Sequence, residues 1–244
     1  MSCPIPTTRS RPPLFLATAV FLVAMAGCGE KDVPPPPIGK VVDPAVRSSD
    51  PGVSRIQEYA ERATQGKRID KSAADWRLHL PMRPHTAFEP GRNYVWTLST
   101  DVGPIQIRLR AATAPEHTAN VVYLTLIGFY DGLAIHTIVP GKGLETGDPA
   151  EDGKGSPGYA FSPESKDNKH DRAGLVSAIS LGDSTDDSKF RITFAADPAV
   201  APVCTIFGEV EAGFETLKKL EALGTPQGRP SKHVTIQKAT ISIR

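Results

Sequence analysis

From Asn93 to its C-terminus the chain consists of short β-rich runs separated by turns, and this pattern constrains the fold most. Residues 94–98 and 105–109 are rich in β-branched and aromatic side chains, and the second run alternates strictly. Asp101-Val102-Gly103-Pro104 lies between them and predicts a turn, so the two runs form a hairpin. Further strands are predicted near residues 134–139, 174–179, 190–194, 205–210 and 234–243.

Two helices interrupt these strands. Pro115 begins a predicted helix that runs to about Ile127, carries apolar residues on one side and is stopped by Gly128. A second helix is predicted from Glu215 to Leu223. Strands and helices do not alternate as they do in a parallel sheet, so the sequence predicts a mainly β fold in the form of a closed antiparallel barrel.

Residues 1–27 are predicted to be a lipoprotein signal peptide rather than part of the fold. Arg9 and Arg11 supply positive charge, and residues 14–24 form an apolar run too short to span a membrane. The run ends in Met25-Ala26-Gly27-Cys28, which resembles a bacterial lipobox with Cys28 as the acylated first residue of the mature protein. An ordinary signal peptide and an uncleaved anchor are the alternatives.

The same motif indicates where the protein is located. Acylation at Cys28 predicts an exported protein that is lipid-anchored to the cell envelope. Gly29 follows the cysteine where an Asp would favour the inner membrane, so we expect the outer membrane or the periplasmic face. Cys3 leaves with the signal peptide and Cys28 carries lipid, so Cys204 has no partner and no disulfide is expected.

Residues 28–49 are predicted to be a spacer. Four consecutive prolines at 34–37 favour polyproline II, which acts as a semi-rigid connection of roughly 3 Å per residue. A proline-rich ligand for a recognition domain is the alternative.

Residues 50–92 are predicted to be an N-terminal extension of the barrel domain, which itself covers residues 93–244. Asp50-Pro51 is typical of a helix start, and apolar residues at helical spacing follow until Gly66. Residues 67–91 contain three prolines and are predicted to be irregular.

The charges exclude some classes of partner. Lys and Arg number 28 against 27 Asp and Glu, so there is no basic surplus for nucleic acid.

The six histidines show no ligand spacing on one element, so neither a metal nor a cofactor is expected. The acidic run at 183–188 is interpreted as a solvated loop rather than a calcium site. We expect a monomer.

Four segments in one order resemble the cyclophilin-type peptidyl-prolyl isomerases. They are "TDVGPIQIRL", "APEHTANVVYLTLIGFYDGLAIHTIVPG", "TGDPAEDGKGSPGYAF" and "FGEVEAGFETLKKL". The resemblance implies an eight-stranded antiparallel barrel capped by two helices, with a peptide groove on its outer face. It also implies cis–trans isomerisation of X–Pro bonds, here in proline-containing segments of unfolded exported proteins.

The resemblance also implies which residues form the groove. The family's Phe-His-Arg corresponds to Ile135-His136-Thr137, so the histidine is kept and threonine stands at the catalytic arginine position. Arg191 replaces a phenylalanine of the proline pocket. The other matched groove positions hold Lys142, Gly143, Glu145, Ile179, Ser180, Lys189, Ala199, Val200 and Cys204.

Two interpretations of these replacements are open. In the first, Arg191 reaches across the groove and supplies the charge missing at Thr137, which leaves an impaired isomerase. In the second, the domain is a catalytically inactive peptide-binding or interaction module, because a threonine hydroxyl does not replace the charged guanidinium of arginine with its five N–H donors. Charged residues at former apolar positions suit a polar or acidic peptide, and equally a groove that has become solvated surface.

Overall fold

The computed structural model describes residues 40–44, 47–164, 168–180, 186–200 and 202–244. All of these residues belong to one compact unit. The other unit, Met1–Pro34, lies outside the described residues, and so do Cys28 and the prolines at 34–37. Within the described ranges, none of the helices has the length and apolar character needed to span a bilayer.

Three α-helices and one short 3₁₀ helix are present in the described chain. Asp50 caps the first helix because its side chain accepts a hydrogen bond from the Val53 backbone N–H at 2.9 Å. Prolines begin the first two helices, where a missing N–H costs nothing. The helices are α1 (Pro51–Gln65), the 3₁₀ helix (Trp76–Leu78), α2 (Pro115–Leu126) and α3 (Phe214–Glu221).

Within the ranges that the structure describes, nine strands form one antiparallel sheet in the order β1-β9-β2-β3-β8-β6-β7-β5-β4. They are β1 (Lys40–Val41), β2 (Tyr94–Thr100), β3 (Gly103–Leu109), β4 (Thr137–Val139), β5 (Gly143–Thr146), β6 (Leu175–Ala178), β7 (Phe190–Thr193), β8 (Ile206–Ala212) and β9 (Ile236–Ile243). The hairpin predicted around Asp101 is β2–β3.

The sheet curls so that its ends approach each other. The segment before β4 meets β9 through an isolated bridge between Ala134 and Thr235, and the Ile135 N–H donates to the Val234 carbonyl at 2.9 Å. The predicted mainly β, antiparallel fold is confirmed, although the closed barrel is only approximate. The sheet has one strand more than the predicted eight. The additional strand, β1, comes from the predicted spacer and pairs with the end of β9.

The interior of the curled sheet is the hydrophobic core. Ile138, Leu144, Ile192 and Val176 are direct neighbours across β4, β5, β7 and β6, and each is at most 1% exposed. Because side chains alternate along a strand, the residues next to them point to the outer face of the same four strands.

The N-terminal extension packs on the barrel as an integral layer. Val53 and Ile56 of α1 are fully buried in the common core. The Tyr94 hydroxyl at the start of β2 donates to Asp50, the cap of α1. Farther along, Arg77 donates to the carbonyls of Phe129 and Asp131, at 2.8 and 2.6 Å. The extension is therefore tied to the barrel at both ends.

Candidate functional site

Four residues form one row across the outer face of the sheet. Thr137 of β4 pairs with Glu145 of β5, Glu145 pairs with Arg191 of β7, and Arg191 pairs with Ser177 of β6. Directly opposed residues of antiparallel strands point to the same face, so these side chains are lateral neighbours. Strands lie about 4.8 Å apart, which puts the Cα atoms of Thr137 and Arg191 roughly 10 Å from each other.

Glu145 lies between Thr137 and Arg191 and accepts hydrogen bonds from the Arg191 guanidinium. Arg191 donates through Nε to Glu145 Oε1 at 3.1 Å, and its Nη2 donates to the same oxygen. The two side chains are 28% and 23% exposed, so the pair is shielded but reachable from solvent. The third nitrogen, Nη1, lies 3.9 Å from Asp197 Oδ2. Arg191 is thus surrounded by two carboxylates.

Asp197 organises the turn beside Arg191. Its Oδ1 accepts from the Ala199 N–H at 3.2 Å, and its carbonyl accepts from the Val200 N–H at 3.2 Å. His170 lies behind this turn, where its carbonyl accepts from the Asp197 N–H at 2.8 Å. Burial, followed by the nearby Arg191 charge, lowers the pKa of His170, so the imidazole is neutral at pH 7.

Thr137 and His136 form the other side of the row. His136 Nδ1 and Thr137 Oγ1 are 3.0 Å apart and hydrogen-bonded. Burial lowers the pKa of His136, against the opposing pull of Asp148 and Glu145. The imidazole is therefore hydrogen-bonded to the Thr137 hydroxyl, the neutral group at the position that matches the family arginine.

Lys189 is placed differently from a groove cation. Its side chain is 2% exposed, its Nζ donates to the Gly155 carbonyl at 2.6 Å, and Asp187 Oδ2 lies 3.3 Å away. Burial raises the pKa of Asp187 even though Lys189 opposes the shift. This ammonium ties two loops together inside the protein and is not presented to a peptide.

The other predicted groove residues border the row. Ile179 donates its N–H to the Lys189 carbonyl at 3.2 Å, and the Ser180 hydroxyl donates to Asp186 at 2.8 Å. Gly143 faces β7 so closely that a Cβ there would meet the Ile192 carbonyl oxygen at 2.5 Å. The remaining predicted positions differ in exposure: Lys142 and Ala199 are exposed, Cys204 is partly buried and Val200 is buried.

Sequence reasoning missed Asp197 and Asp186, which bind two of the predicted residues through their side chains. Asp186 belongs to the acidic run 183–188, and the interpretation of that run as a solvated loop is wrong for its described residues, because Asp186, Asp187 and Ser188 are at most 4% exposed. Asp197 carries no motif, and pairing between strands and loops leaves no local pattern. Three-residue groups of His, Cys, Asp or Glu arranged to hold a metal do not occur in the part of the chain that the structure describes.

Comparison with known proteins identifies the barrel. Residues 95–241 match the family model "Cyclophilin type peptidyl-prolyl cis-trans isomerase/CLD". The chain belongs to the cyclophilin family. The match begins at the second residue of β2, so the extension and β1 lie outside it.

Several cyclophilin-type isomerases are similar in sequence. Peptidyl-prolyl cis-trans isomerase CYP18-1 of Arabidopsis thaliana is 35% identical over 150 residues, which is 59% of this chain and 94% of the relative. Peptidyl-prolyl cis-trans isomerase-like 3 of Gallus gallus is 37% identical over 151 residues, again 59% and 94%. Peptidyl-prolyl cis-trans isomerase-like 2 of Cryptococcus neoformans is 33% identical over 153 residues, which span 59% of this chain but only 27% of the relative.

Solved structures agree with this assignment. A cyclophilin type isomerase of Cryptosporidium parvum superposes with a TM-score of 0.58 at 29% identity, covering 61% of this chain and 97% of that one. The same protein crystallised in the presence of the dipeptide Ala-Pro gives a TM-score of 0.57 at 28% identity, over 60% and 98% of the two chains. The outer-face row of this cyclophilin domain is accordingly our candidate site.

Proposed function

We propose that this cyclophilin domain binds proline-containing segments of exported proteins and isomerises them at a strongly reduced rate. One observation carries the proposal. The arginine position of the family holds Thr137, and the nearest guanidinium on that face, Arg191, is held by Glu145. The binding half is supported by the relative that was crystallised in the presence of Ala-Pro.

The reduced rate follows from the chemistry of the peptide bond. Rotation about the C–N bond breaks its conjugation against a barrier of about 18–20 kcal/mol. A charged donor aimed at the prolyl nitrogen stabilises the twisted state, in which that nitrogen regains its lone pair. Thr137 offers one neutral hydroxyl that is already bonded to His136. Neutral hydrogen bonds are roughly half as strong as charged ones, so the remaining stabilisation is small.

Arg191 does not take over this role in the observed arrangement. Its Nε and Nη2 both donate to Glu145, and its Nη1 faces Asp197. To act on a prolyl nitrogen near Thr137, the guanidinium would have to leave two carboxylates and cross the strand that carries Glu145. We infer that Arg191 recognises ligand or stabilises the sheet rather than acting in catalysis.

An NMR exchange assay on a set of blocked X–Pro peptides tests the proposal, with the full chain in detergent. We expect line broadening or shift changes that show binding, together with exchange only slightly faster than in buffer. Exchange as fast as that with a cyclophilin carrying the arginine would overturn the reduced-rate half. No shift changes at millimolar protein and peptide would overturn the binding half.

A second candidate function is a non-catalytic interaction module. The ion pair between Arg191 and Glu145 favours it, because a charged pair replaces an apolar pocket wall and suits a polar segment. Peptides in which alanine replaces proline separate the two candidates. Equal affinity for both peptide sets favours the interaction module, and a clear preference for proline favours the isomerase.

The anchoring of the protein is also a proposal. We infer that Cys28 is acylated and that the domain acts in the cell envelope, because a positive n-region and an apolar run precede the lipobox-like Met25-Ala26-Gly27-Cys28. Metabolic labelling with a fatty acid tests this. Label on the wild-type chain and none on Cys28→Ala is expected, while label that persists in the variant would rule out this site.

A further inference from the structure

His117 is a buried histidine held between two carboxylates next to the candidate groove. It lies in the first turn of α2 and is 2% exposed. Its Nδ1 is 2.5 Å from Glu164 Oε2, and its Nε2 is 2.8 Å from Asp186 Oδ2. A neutral imidazole would turn one nitrogen lone pair toward a carboxylate, whereas an imidazolium donates to both. The arrangement therefore fits the charged form.

Aromatic rings enclose the same imidazole. Phe207 stacks on it with centroids 5.6 Å apart and an interplanar angle of 13°, and Phe161 meets it edge-on at 4.9 Å. A cation over an aromatic face is stabilised by the ring quadrupole, and the apolar walls keep water from both ion pairs. Glu164 and Asp186 are the charged groups that face the ring from the elements packed on α2.

The two carboxylates connect His117 to the groove and to α2. Glu164 accepts from the backbone N–H groups of Glu116 and His117, each at 2.8 Å, so it caps a helix to which it is not adjacent in sequence. Asp186 accepts the Ser180 hydroxyl at 2.8 Å through its other oxygen, and its backbone pairs with Phe161. The imidazolium thus fastens three segments, one of which carries a predicted groove residue.

We propose that the His117 imidazolium is a positioning residue for the groove wall at Ser180, and that peptide binding weakens when His117 loses its proton. The proposal rests on the proposed function for its ligand. Without the charge, the imidazole keeps a single N–H for two carboxylates and no longer balances the charge of fully buried Asp186, and a buried carboxylate without its counter-charge is costly. Asp186 would move toward solvent and carry Ser180 with it.

The direction of the pH effect is set by the two carboxylates. Burial alone would lower the pKa of His117, but the hydrogen bonds that its ring donates to Asp186 and Glu164 outweigh burial and raise that pKa. A raised folded-state value means that the arrangement is intact below the ordinary range of histidine and is lost as pH rises through the raised one. The pKa of His136 is shifted in the opposite direction, because burial lowers it.

NMR titration of the full chain in detergent, without peptide, directly tests whether His117 positions Ser180. The His117 ring signals should titrate above the usual range of histidine, and the Ser180 amide should shift with the same midpoint. Glu164→Gln removes one carboxylate and should move both midpoints to lower pH. A His117 that titrates in the ordinary range, or a Ser180 amide that ignores it, overturns the proposal.

Peptide binding supplies the second measurement, with a blocked Ala-Ala-Pro-Ala peptide as the probe. In a Cys204→Ser background, which removes the groove thiol, affinity should fall about fivefold above the His117 midpoint, as expected for a lost hydrogen bond. His117→Gln should bind weakly at every pH and lose the alkaline fall, whereas exposed His79→Gln should keep it. An unchanged fall in His117→Gln overturns the role of His117. If the parent protein binds no peptide at any pH, the proposed function fails. The amide titration then still shows whether Ser180 responds to the protonation of His117.

Discussion

Arg191 and Glu145 are direct cross-strand neighbours on β7 and β5, and two guanidinium nitrogens converge on one carboxylate oxygen. The pair lies on the outer face of the sheet, where Glu145 is directly opposite Thr137 and Arg191 is one strand farther away. The guanidinium on this face is therefore paired with its neighbour's carboxylate, while the position matched to the family's catalytic arginine holds the neutral Thr137.

The first prediction concerns the strength of this ion pair. A double-mutant cycle with Arg191→Ala and Glu145→Ala should give a coupling free energy of about 1 kcal/mol in urea unfolding, because both side chains are partly shielded. The helical pair Lys218–Glu215, 70% and 80% exposed, is the control and should give at most ~0.5 kcal/mol. Equal couplings in the two cycles would contradict the structural role of the Arg191–Glu145 pair.

The second prediction is that isomerase activity returns when the row is rebuilt. Thr137→Arg combined with Glu145→Gln and Arg191→Phe should raise kcat/KM by about 10- to 100-fold, since a charged fork then faces the prolyl nitrogen. Thr137→Arg alone should gain much less, because Glu145 lies opposite and would bind the new guanidinium.

The control for this rebuilding is Thr137→Lys in the same double background. It has the charge but lacks the planar fork, so its gain should be small. A single Thr137→Arg variant as active as the triple variant would show that Glu145 does not restrain the groove.

The third prediction concerns the buried ammonium of Lys189. Lys189→Met should lower the free energy of unfolding by about 3–5 kcal/mol at pH 7, because Asp187 becomes an uncompensated buried carboxylate. The pKa of Asp187 is already raised by burial and would rise further without Lys189. A group with a raised folded-state pKa is tolerated below that value and costs stability above it.

Urea unfolding of Lys189→Met at pH 7 and pH 5 should accordingly show a deficit that shrinks on acidification. Adding Asp187→Asn keeps an acceptor for the Lys189 N–H, which Asp187 binds at 2.8 Å, and removes the charge. The double variant should recover most of the lost stability at pH 7. A deficit that is constant with pH would show that Asp187 is not its source.

The fourth prediction concerns the attachment of the extension. Asp50 is 1% exposed, caps α1 and accepts the Tyr94 hydroxyl. Asp50→Ala should cost about 2–4 kcal/mol, because a helix cap and the partner of a buried hydroxyl are lost together. Asp75→Ala, which removes an exposed partner of exposed His79, should stay within about 0.5 kcal/mol. Similar losses in both variants would contradict the buried role of Asp50.

Most of the fold was predictable because it is written in local signals. Asp50-Pro51 and Gly66 fixed both ends of α1, and Pro115 fixed the start of α2. β1 was missed because its two residues, Lys40–Val41, are too few to show an alternating hydrophobic pattern. β5 was also missed, since it begins at Gly143 directly after a turn, and glycine weakens a strand pattern.

The site was predictable in its positions and less so in its contacts. Family motifs placed Thr137, Glu145 and Arg191 at the groove, and strand pairing brings these three together. Burial of Lys189 and the ion pairs of His117 depend on loops that return from 34 to 69 residues away. Contacts of that kind are decided by tertiary packing, and neither residue type nor spacing reveals them.

Arg83 of the extension joins two parts of the barrel that the family match treats as self-sufficient. Its side chain is 2% exposed, it lies 2.5 Å from Glu116 of α2, and its guanidinium stacks 4.8 Å from the centre of the Phe161 ring. Phe161 in turn contacts His117. The portion of this protein that can be transplanted into a chimera is therefore the whole of residues 40–244. A fragment that contained only the matched residues 95–241 would lack Arg83, so Glu116 would lose its ion pair and the Phe161 ring would lose the guanidinium that covers it.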